Sequence, residues 1–395
     1  MTESRYLAAA HALAPDLIAW RRHLHRHPEL AFREVATAAF VRERLAALGL
    51  EASAPMARGT GLTALVRGRG AGPTVALRAD MDALPIPEDT GADYASTVPG
   101  VAHLCGHDAH TAMLLGAAAL LAARPPAHGH VKLLFQPAEE DGGGAAEMVA
   151  DGALEGPDVG AVFALHVDPR FPAGHTGVVV GPANAAADGL DVEVVGAGGH
   201  AAYPHLSVDA VTVAAQVVTA LQHVVSRHSD PLKPLVLTIG TIQGGFARNV
   251  IAPSVKLSGT LRSFDAELRK GLPALVERVV QGVVAAHGAT ARVAYEFGYP
   301  ATVNDPALVP TFDAAAAAVV GADAHAHLAP TMGAEDFAYY AERVPAVIGR
   351  LGVRDEARGF VHPLHHPRFD LDEAALPLGA ALLAEAATRW LASQA

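Results

Sequence analysis

The chain has 395 residues, with 29 Lys plus Arg against 41 Asp plus Glu, a formal charge of −12, 51% hydrophobic residues and 18% charged ones. That apolar share excludes a disordered chain, and the length implies two domains or three. The acidic balance excludes the basic face of a nucleic-acid binder, and the single cysteine, Cys105, excludes an intrachain disulfide and leaves a free thiol or a metal ligand.

Among the longest uncharged stretches, Ala109–Ala123 is short of the ~18 residues of a membrane span, and Ala210–Ser226 carries Gln216, Gln222 and His223. The N-terminal segment holds Glu3 and Asp16 without a clean apolar run, so no signal peptide is expected and the chain reads as cytoplasmic.

In chain order, residues 5–49 read as helical, interrupted at Pro28. Gly61–Arg67 and Thr74–Arg78 read as strands, His110–Ala123 as a helix, Val131–Phe135 as a buried strand, Glu147–Asp151 as part of a short helix and Val159–Val167 as a strand. Strands alternating with helices predict an α/β domain with a mostly parallel sheet. From Leu190 the pattern changes to strand 190–195, helix 207–226, strands 235–240 and 255–262, helix 266–287 and strand 291–297. That β-α-β-β-α-β order is the ferredoxin-like split βαβ arrangement and reads as an insertion. The α/β pattern resumes after Pro300, with helices at 306–320, 335–343 and 373–393.

Several segments carry chemistry. Cys105-Gly-His107-Asp108-Ala-His110 puts a thiol and two imidazoles just before a helix, natural donors for zinc or another borderline divalent ion. It reads equally as a buried thiol among solvent-facing histidines. Glu139-Glu140-Asp141 follows the strand Val131–Phe135, at the strand end where open α/β sheets place their sites. Neighbouring residues on an extended segment point opposite ways, so one Glu can bind metal while the other faces a water. A solvated acidic turn is the plainer reading. His166 closes the strand at 159–167 and by itself reads as a core histidine, gaining weight as a ligand from the acidic pair at the same sheet edge; Asp80-Met-Asp82 follows the strand at 74–78, either as an ordinary polar loop or as a carboxylate that orients a ligating imidazole. His362-Pro-Leu-His365-His366-Pro forms a rigid loop rich in imidazole. In the insertion, Gly198-Gly199-His200 and Arg248-Asn249 offer an imidazole near a ligand and a guanidinium that can hold a carboxylate, and each reads equally as a hairpin turn. His23, His25 and His27 alternate on a helix and share no face, so they read as structural.

Ten segments in this order, RRHLHRHPEL, ALRADMDALPI, CGHDAHTAMLLGAA, LLFQPAEE, LHV, GGHAAYPH, RNVI, GTLRSF, MGAEDFAYY and LHHPRFD, together resemble the metal-dependent N-acyl-amino-acid amidohydrolases. That family includes hippurate hydrolase, aminoacylase-like enzymes, acetyl-diaminopimelate deacetylase and plant auxin-conjugate hydrolases, and is a branch of the dimetal metallopeptidases. The resemblance implies a catalytic α/β domain at 1–182 and 300–395 and a ferredoxin-like lid and dimerisation domain at 183–299. It implies two divalent metal ions per subunit (Mn, Zn, Co or Ni) held by Cys105, His107, Glu140, His166 and His365, with His366 and His362 as neighbouring alternatives to His365. Glu139 matches the general base, and His200 the lid histidine that in related dimers comes from the partner subunit. Asp82 is grouped with the catalytic residues, and Arg248 and Asn249 match a substrate-contacting segment, although NVIAP here replaces the usual NVIP. The implied reaction is hydrolysis of the amide of an N-acyl amino acid by a homodimer or dimer-based oligomer. A dipeptidase or carboxypeptidase on the same scaffold is the alternative, and a non-catalytic binding module a more distant one.

Overall fold

The computed structural model describes residues 4–395. The chain divides into two compact units, one built from residues up to Gly181 with Val303–Ala329 and Asp336–Ala395, the other from Pro182–Thr302 with Pro330–Glu335.

In the larger unit, every residue of the strand Thr74–Asp80 is buried. Val75, Leu77 and Ala79 join one apolar cluster and Ala76 joins another. Alternate side chains of a strand face opposite ways, so the sheet is covered on both faces, as parallel sheets are. Helices His107–Ala123, Val309–Val320 and Ala375–Ser393 supply the first cluster, and Gly144–Ala150 with Ala338–Ala341 the second. His107–Ala123 is buried along most of its length, as a helix without a polar face must be. Gly116 lets it approach its neighbour, since a Cβ there would lie 2.9 Å from Ala380 Cβ.

The seven strands run in the order Leu62–Arg67, His130–Gln136, Thr74–Asp80, Val159–Pro172, Ala346–Arg354, Thr176–Val178, His325–His327. The first pair and the Ala346–Arg354/Thr176–Val178 pair are antiparallel; the other pairings are parallel. The expected α/β class holds, with corrections in detail. The strand Ala346–Arg354 is absent from the sequence expectation although it pairs along most of Val159–Pro172. Its two glycines weaken the strand pattern, and both mark close approaches: a Cβ on Gly349 would lie 2.0 Å from Phe312 Cζ, and one on Gly352 2.1 Å from the Pro172 carbonyl oxygen. The helix expected at 335–343 shrinks to Ala338–Ala341, because Asp336 is spent on tertiary hydrogen bonds instead of a helical turn. His166 does not close its strand, which continues to Pro172.

The smaller unit has four antiparallel strands in the order Thr290–Phe297, Ala186–Val195, Ser254–Ser263, Leu235–Gly244. That order and the two helices Ala210–His223 and Ala266–Ala286 make it ferredoxin-like, as expected. Asp209 and Asp265 cap the helices, accepting hydrogen bonds from Val211 N and Leu268 N. Leu190, Val192 and Val194 face the helices in a separate core, while Asp191 and Glu193 alternate onto the other face. The segment 330–335 joins this unit through Thr331, whose N–H donates to the Ala183 carbonyl (2.9 Å). Among the described residues, no helix is long and apolar enough to cross a membrane.

Candidate metal centre

Three neighbouring parallel strands of the larger unit bring their chemistry to one edge of the sheet: Asp80 ends one and Asp82 follows it, Glu139 and Glu140 follow another, and His166 lies on the third. The helix beginning at His107 starts there too, from Gly106 at φ 89°. A Cβ on Gly106 would lie 2.3 Å from Val167 Cγ2, so glycine is what lets the Cys105–His107 turn approach the strand.

Cys105 Sγ lies 3.6 Å from His166 Nε2. His166 Nδ1 donates to the Val167 carbonyl (2.7 Å), which leaves Nε2 as a lone-pair donor facing the thiol. His107 Nδ1 donates to the Asp82 carbonyl (3.0 Å), with Asp82 Oδ1 at 3.2 Å, so its Nε2 is also free to ligate. That Nε2 and Glu140 Oε1 are 4.0 Å apart. Both are buried without a hydrogen-bond partner among the described residues. His365 Nε2 stands 3.2 Å from the same Glu140 oxygen. Its backbone N–H donates to the Leu104 carbonyl (2.7 Å), beside Cys105, and its φ is 64°. His366 instead stacks on His362 (centroids 4.4 Å apart) and accepts from Arg368 N, so His365 is the imidazole that joins Cys105 and Glu140.

Donor atoms of Cys105, His107 and His166 lie within 4.8 Å of one another, as do those of Cys105, Glu140 and His365 and those of His107, Glu139 and Glu140. Orphaned buried atoms converging with a thiol, imidazoles and carboxylates fit divalent metal ions of borderline softness. The electrostatics agree. Burial, reinforced by the Glu140 charge, pushes the Cys105 thiol well above its ordinary range. Burial likewise drives His166 well down, and His110 adds to this. At His107 burial opposes protonation, but the Asp80 carboxylate and Cys105 outweigh it. A cation supplies the positive charge this donor set lacks, and ligation requires the thiol and imidazoles without their protons.

Asp82 does not offer a free carboxylate. Its Oδ1 faces His107 and its Oδ2 accepts from the Glu140 backbone N (2.9 Å), an arrangement that orients both residues, as a carboxylate at this strand end can. Glu139 is buried, and its Oε1 accepts from Asp336 N at 3.4 Å. In the smaller unit, His200 pairs opposite Val250 in a two-residue ladder, and the Asn249 carbonyl accepts from Ala201 N (3.1 Å). His200, Arg248 and Asn249 therefore share one exposed corner of that unit.

Sequence reasoning gave an orienting role to the Asp80/Asp82 pair but none to Arg78 or Glu34. Arg78, buried in its strand, donates to Asp80 Oδ2 (2.6 Å), Asp336 Oδ1 (2.9 Å) and Gln136 Oε1 (2.8 Å). Asp80 Oδ1 accepts from His110 Nδ1 (2.6 Å), whose Nε2 accepts from Val167 N (2.9 Å). A charged residue inside an otherwise apolar run was the available signal. Glu34 Oε1 accepts from Ala138 N (2.8 Å), steadying a residue at φ 54° just before Glu139.

Burial, helped by the Asp82 charge, raises the Glu34 carboxyl from 4.5 to about 7. A raised folded-state pKa gives stability that is complete below 4.5 and lost as pH rises through about 7. Glu34→Gln is therefore expected to remove a fall of up to about 3 kcal/mol in unfolding free energy across that window. Urea titrations of both proteins at the two ends check it; parallel pH profiles would contradict it.

The model of peptidase family M20/M25/M40 matches residues 76–389. The chain belongs to this family. It is 46% identical over 307 residues to an N-acyl-L-amino acid amidohydrolase of Geobacillus stearothermophilus, covering 77% of this chain and 82% of the relative. It is 38% identical over 368 residues to thermostable carboxypeptidase 2 of Saccharolobus solfataricus, covering 92% of each. The crystal structure of a Bacillus subtilis protein described as a dinuclear metal-binding peptidase of the M20 family superposes with a TM-score of 0.84 at 35% identity, covering 96% of this chain and 99% of that one. The amidohydrolase class of enzyme expected from the sequence agrees with this membership.

Proposed function

We propose that this chain hydrolyses the amide bond of N-acyl amino acids, N-acetyl, N-benzoyl or similar, to a carboxylic acid and a free amino acid. The observation that carries the reading is the convergence of His107 Nε2 and Glu140 Oε1, buried atoms without a hydrogen bond among the described residues, with Cys105 and His166 beside the buried Glu139. Cys105, His107, Glu140, His166 and His365 would hold two divalent ions, of which Mn, Zn, Co and Ni suit the mixed donors. When bound, such ions polarise an acyl carbonyl and make water more acidic. Glu139 then takes the proton of the attacking water on a carboxylate oxygen and delivers it to the departing amine nitrogen. Asp82 holds His107 and the Glu140 backbone in place. We assign His200 to the charge that develops on the acyl oxygen, and Arg248 and Asn249 to the substrate carboxylate.

On this reading residues 1–182 and 300–395 form the catalytic domain and 183–299 the lid and dimerisation domain. A homodimer is supported by the exposed edge strand Leu235–Gly244, whose Ile242 is 56% exposed. Cytoplasmic residence is supported by the lone thiol Cys105, which a reducing compartment keeps available.

The test is release of amino acid from a panel of N-acyl amino acids by metal-free protein, before and after adding Mn(II), Zn(II), Co(II) or Ni(II). Metal-restored release supports the reading; silence with metal bound overturns it. The carboxypeptidase relative favours a second reading, peptide cleavage, and faster turnover of Gly-X dipeptides in the same panel would select it. Cys105→Ala is expected to lower metal content by one ion or two per chain on elemental analysis, because the remaining donors lack its thiolate charge. Undiminished metal would remove Cys105 from the ligand set.

A further inference from the structure

A second cluster of ligating side chains lies at the far edge of the seven-stranded sheet and shares no residue with the centre above. Edge strand His325–His327 pairs in parallel with Thr176–Val178, His325 opposite Thr176. Residues two apart on a strand project to one face, so the sequence His-Ala-His sets two imidazoles side by side. Helix Val309–Val320 brings Asp313 against them. His325 Nε2 lies 2.8 Å from Asp313 Oδ1, and His327 Nε2 lies 3.0 Å from Asp313 Oδ2.

We propose that Asp313, His325 and His327 form a zinc site on the larger unit, separate from the catalytic metals. The donor set is two imidazole nitrogens and one carboxylate oxygen, all within 4.8 Å of one another. Bonds of about 2.0–2.1 Å at tetrahedral angles set such donors about 3.3 Å apart. The two imidazole nitrogens approach different Asp313 oxygens, at 2.8 and 3.0 Å, so each pair opens by about half an ångström or less and the carboxylate turns to present one oxygen to the ion.

The surroundings suit a ligating histidine. The His325 side chain is only 9% exposed and packs near Phe312, with ring centroids 6.0 Å apart. Its Nδ1 lies 2.9 Å from the buried Thr176 hydroxyl. That hydroxyl can accept the hydrogen bond of Nδ1–H, which leaves the Nε2 lone pair for metal, the usual outer support of a ligating imidazole. His327 is 57% exposed, so the fourth position opens to solvent and takes water. Two neutral imidazoles with one carboxylate favour Zn(II), Ni(II) or Cu(II), whereas Mg(II) and Ca(II) prefer oxygen donors. Bound metal would pin the helix to the edge strand across the short connection 321–324.

Equilibrium dialysis of the intact protein against buffered Zn(II), followed by elemental analysis, tests this by difference. Wild type is expected to hold one zinc more per chain than His327→Ala and than Asp313→Asn, whatever the occupancy of the other centre. Zinc should also raise the unfolding temperature of wild type more than that of either variant. Both variants are near the surface, and circular dichroism checks that they fold. Hydrolytic activity of the variants is expected to match wild type. Equal zinc contents in all three proteins would overturn the site, leaving a hydrogen-bonded latch. So would Mg(II) displacing the extra zinc at similar concentration.

Discussion

Glu139→Gln is expected to lower kcat by about 10²–10⁴-fold while leaving the metal content unchanged. Glutamine keeps the shape of the side chain and can still accept from Asp336 N, as Glu139 Oε1 does at 3.4 Å. It loses the negative charge, and with it the ability to take and return a proton. The five proposed ligands are untouched by the change. Glu139 nevertheless shares a group of close donor atoms with His107 and Glu140, so a ligand role is a real competitor. Steady-state kinetics with elemental analysis of the same preparation separates the two. Low turnover with full metal marks a base, lost metal marks a ligand, and retained turnover places the base elsewhere.

The donor residues were legible because their chemistry is local. Cys105 and His107 stand two apart at the start of a helix, and Glu139 and Glu140 follow a strand, so short segments announce both. His365 was separable from His366 only in three dimensions, where one backbone N–H meets Leu104 and the other ring stacks on His362. The supporting groups were not legible, since Arg78 meets Asp336 across 258 positions of sequence and nothing in either segment names the other. The same limit hid the partner of His25, which the sequence reads as structural. It lies buried with Nδ1 2.8 Å from Asp108, a carboxylate that also accepts from Arg21 at 2.7 Å. Burial works against the Asp108 charge, but Arg21 and His25 hold that carboxyl far below its usual range. The strand Ala346–Arg354 escaped for another reason: its glycines serve packing against Phe312 and the Pro172 carbonyl, and glycine carries no apolar signal of its own.

Arg78→Met is expected to destabilise the larger unit by about 3–5 kcal/mol, the cost of breaking a buried ion pair from one side. The guanidinium is 1% exposed and its Nη1 and Nη2 serve two carboxylates that are 0% exposed. Methionine fills much of the space but leaves Asp80 and Asp336 buried without that cation. Burial pushes the Asp80 carboxyl up, and at present Arg78, then His107 and His110, hold it well below the carboxylate range. With Arg78 gone, burial gains ground and Asp80 becomes a poorer acceptor for His110, whose other nitrogen receives Val167 N beside His166. Metal retention should therefore weaken together with stability, although Arg78 is not a ligand. Urea unfolding and elemental analysis read the two effects. Adding Asp336→Asn to Arg78→Met removes one of the two buried negative charges that Arg78 offset, so the double variant should recover part of the loss through a favourable coupling. Additive losses in the double variant would mean that Arg78 acts by packing alone, and that the buried carboxylates lean on other partners.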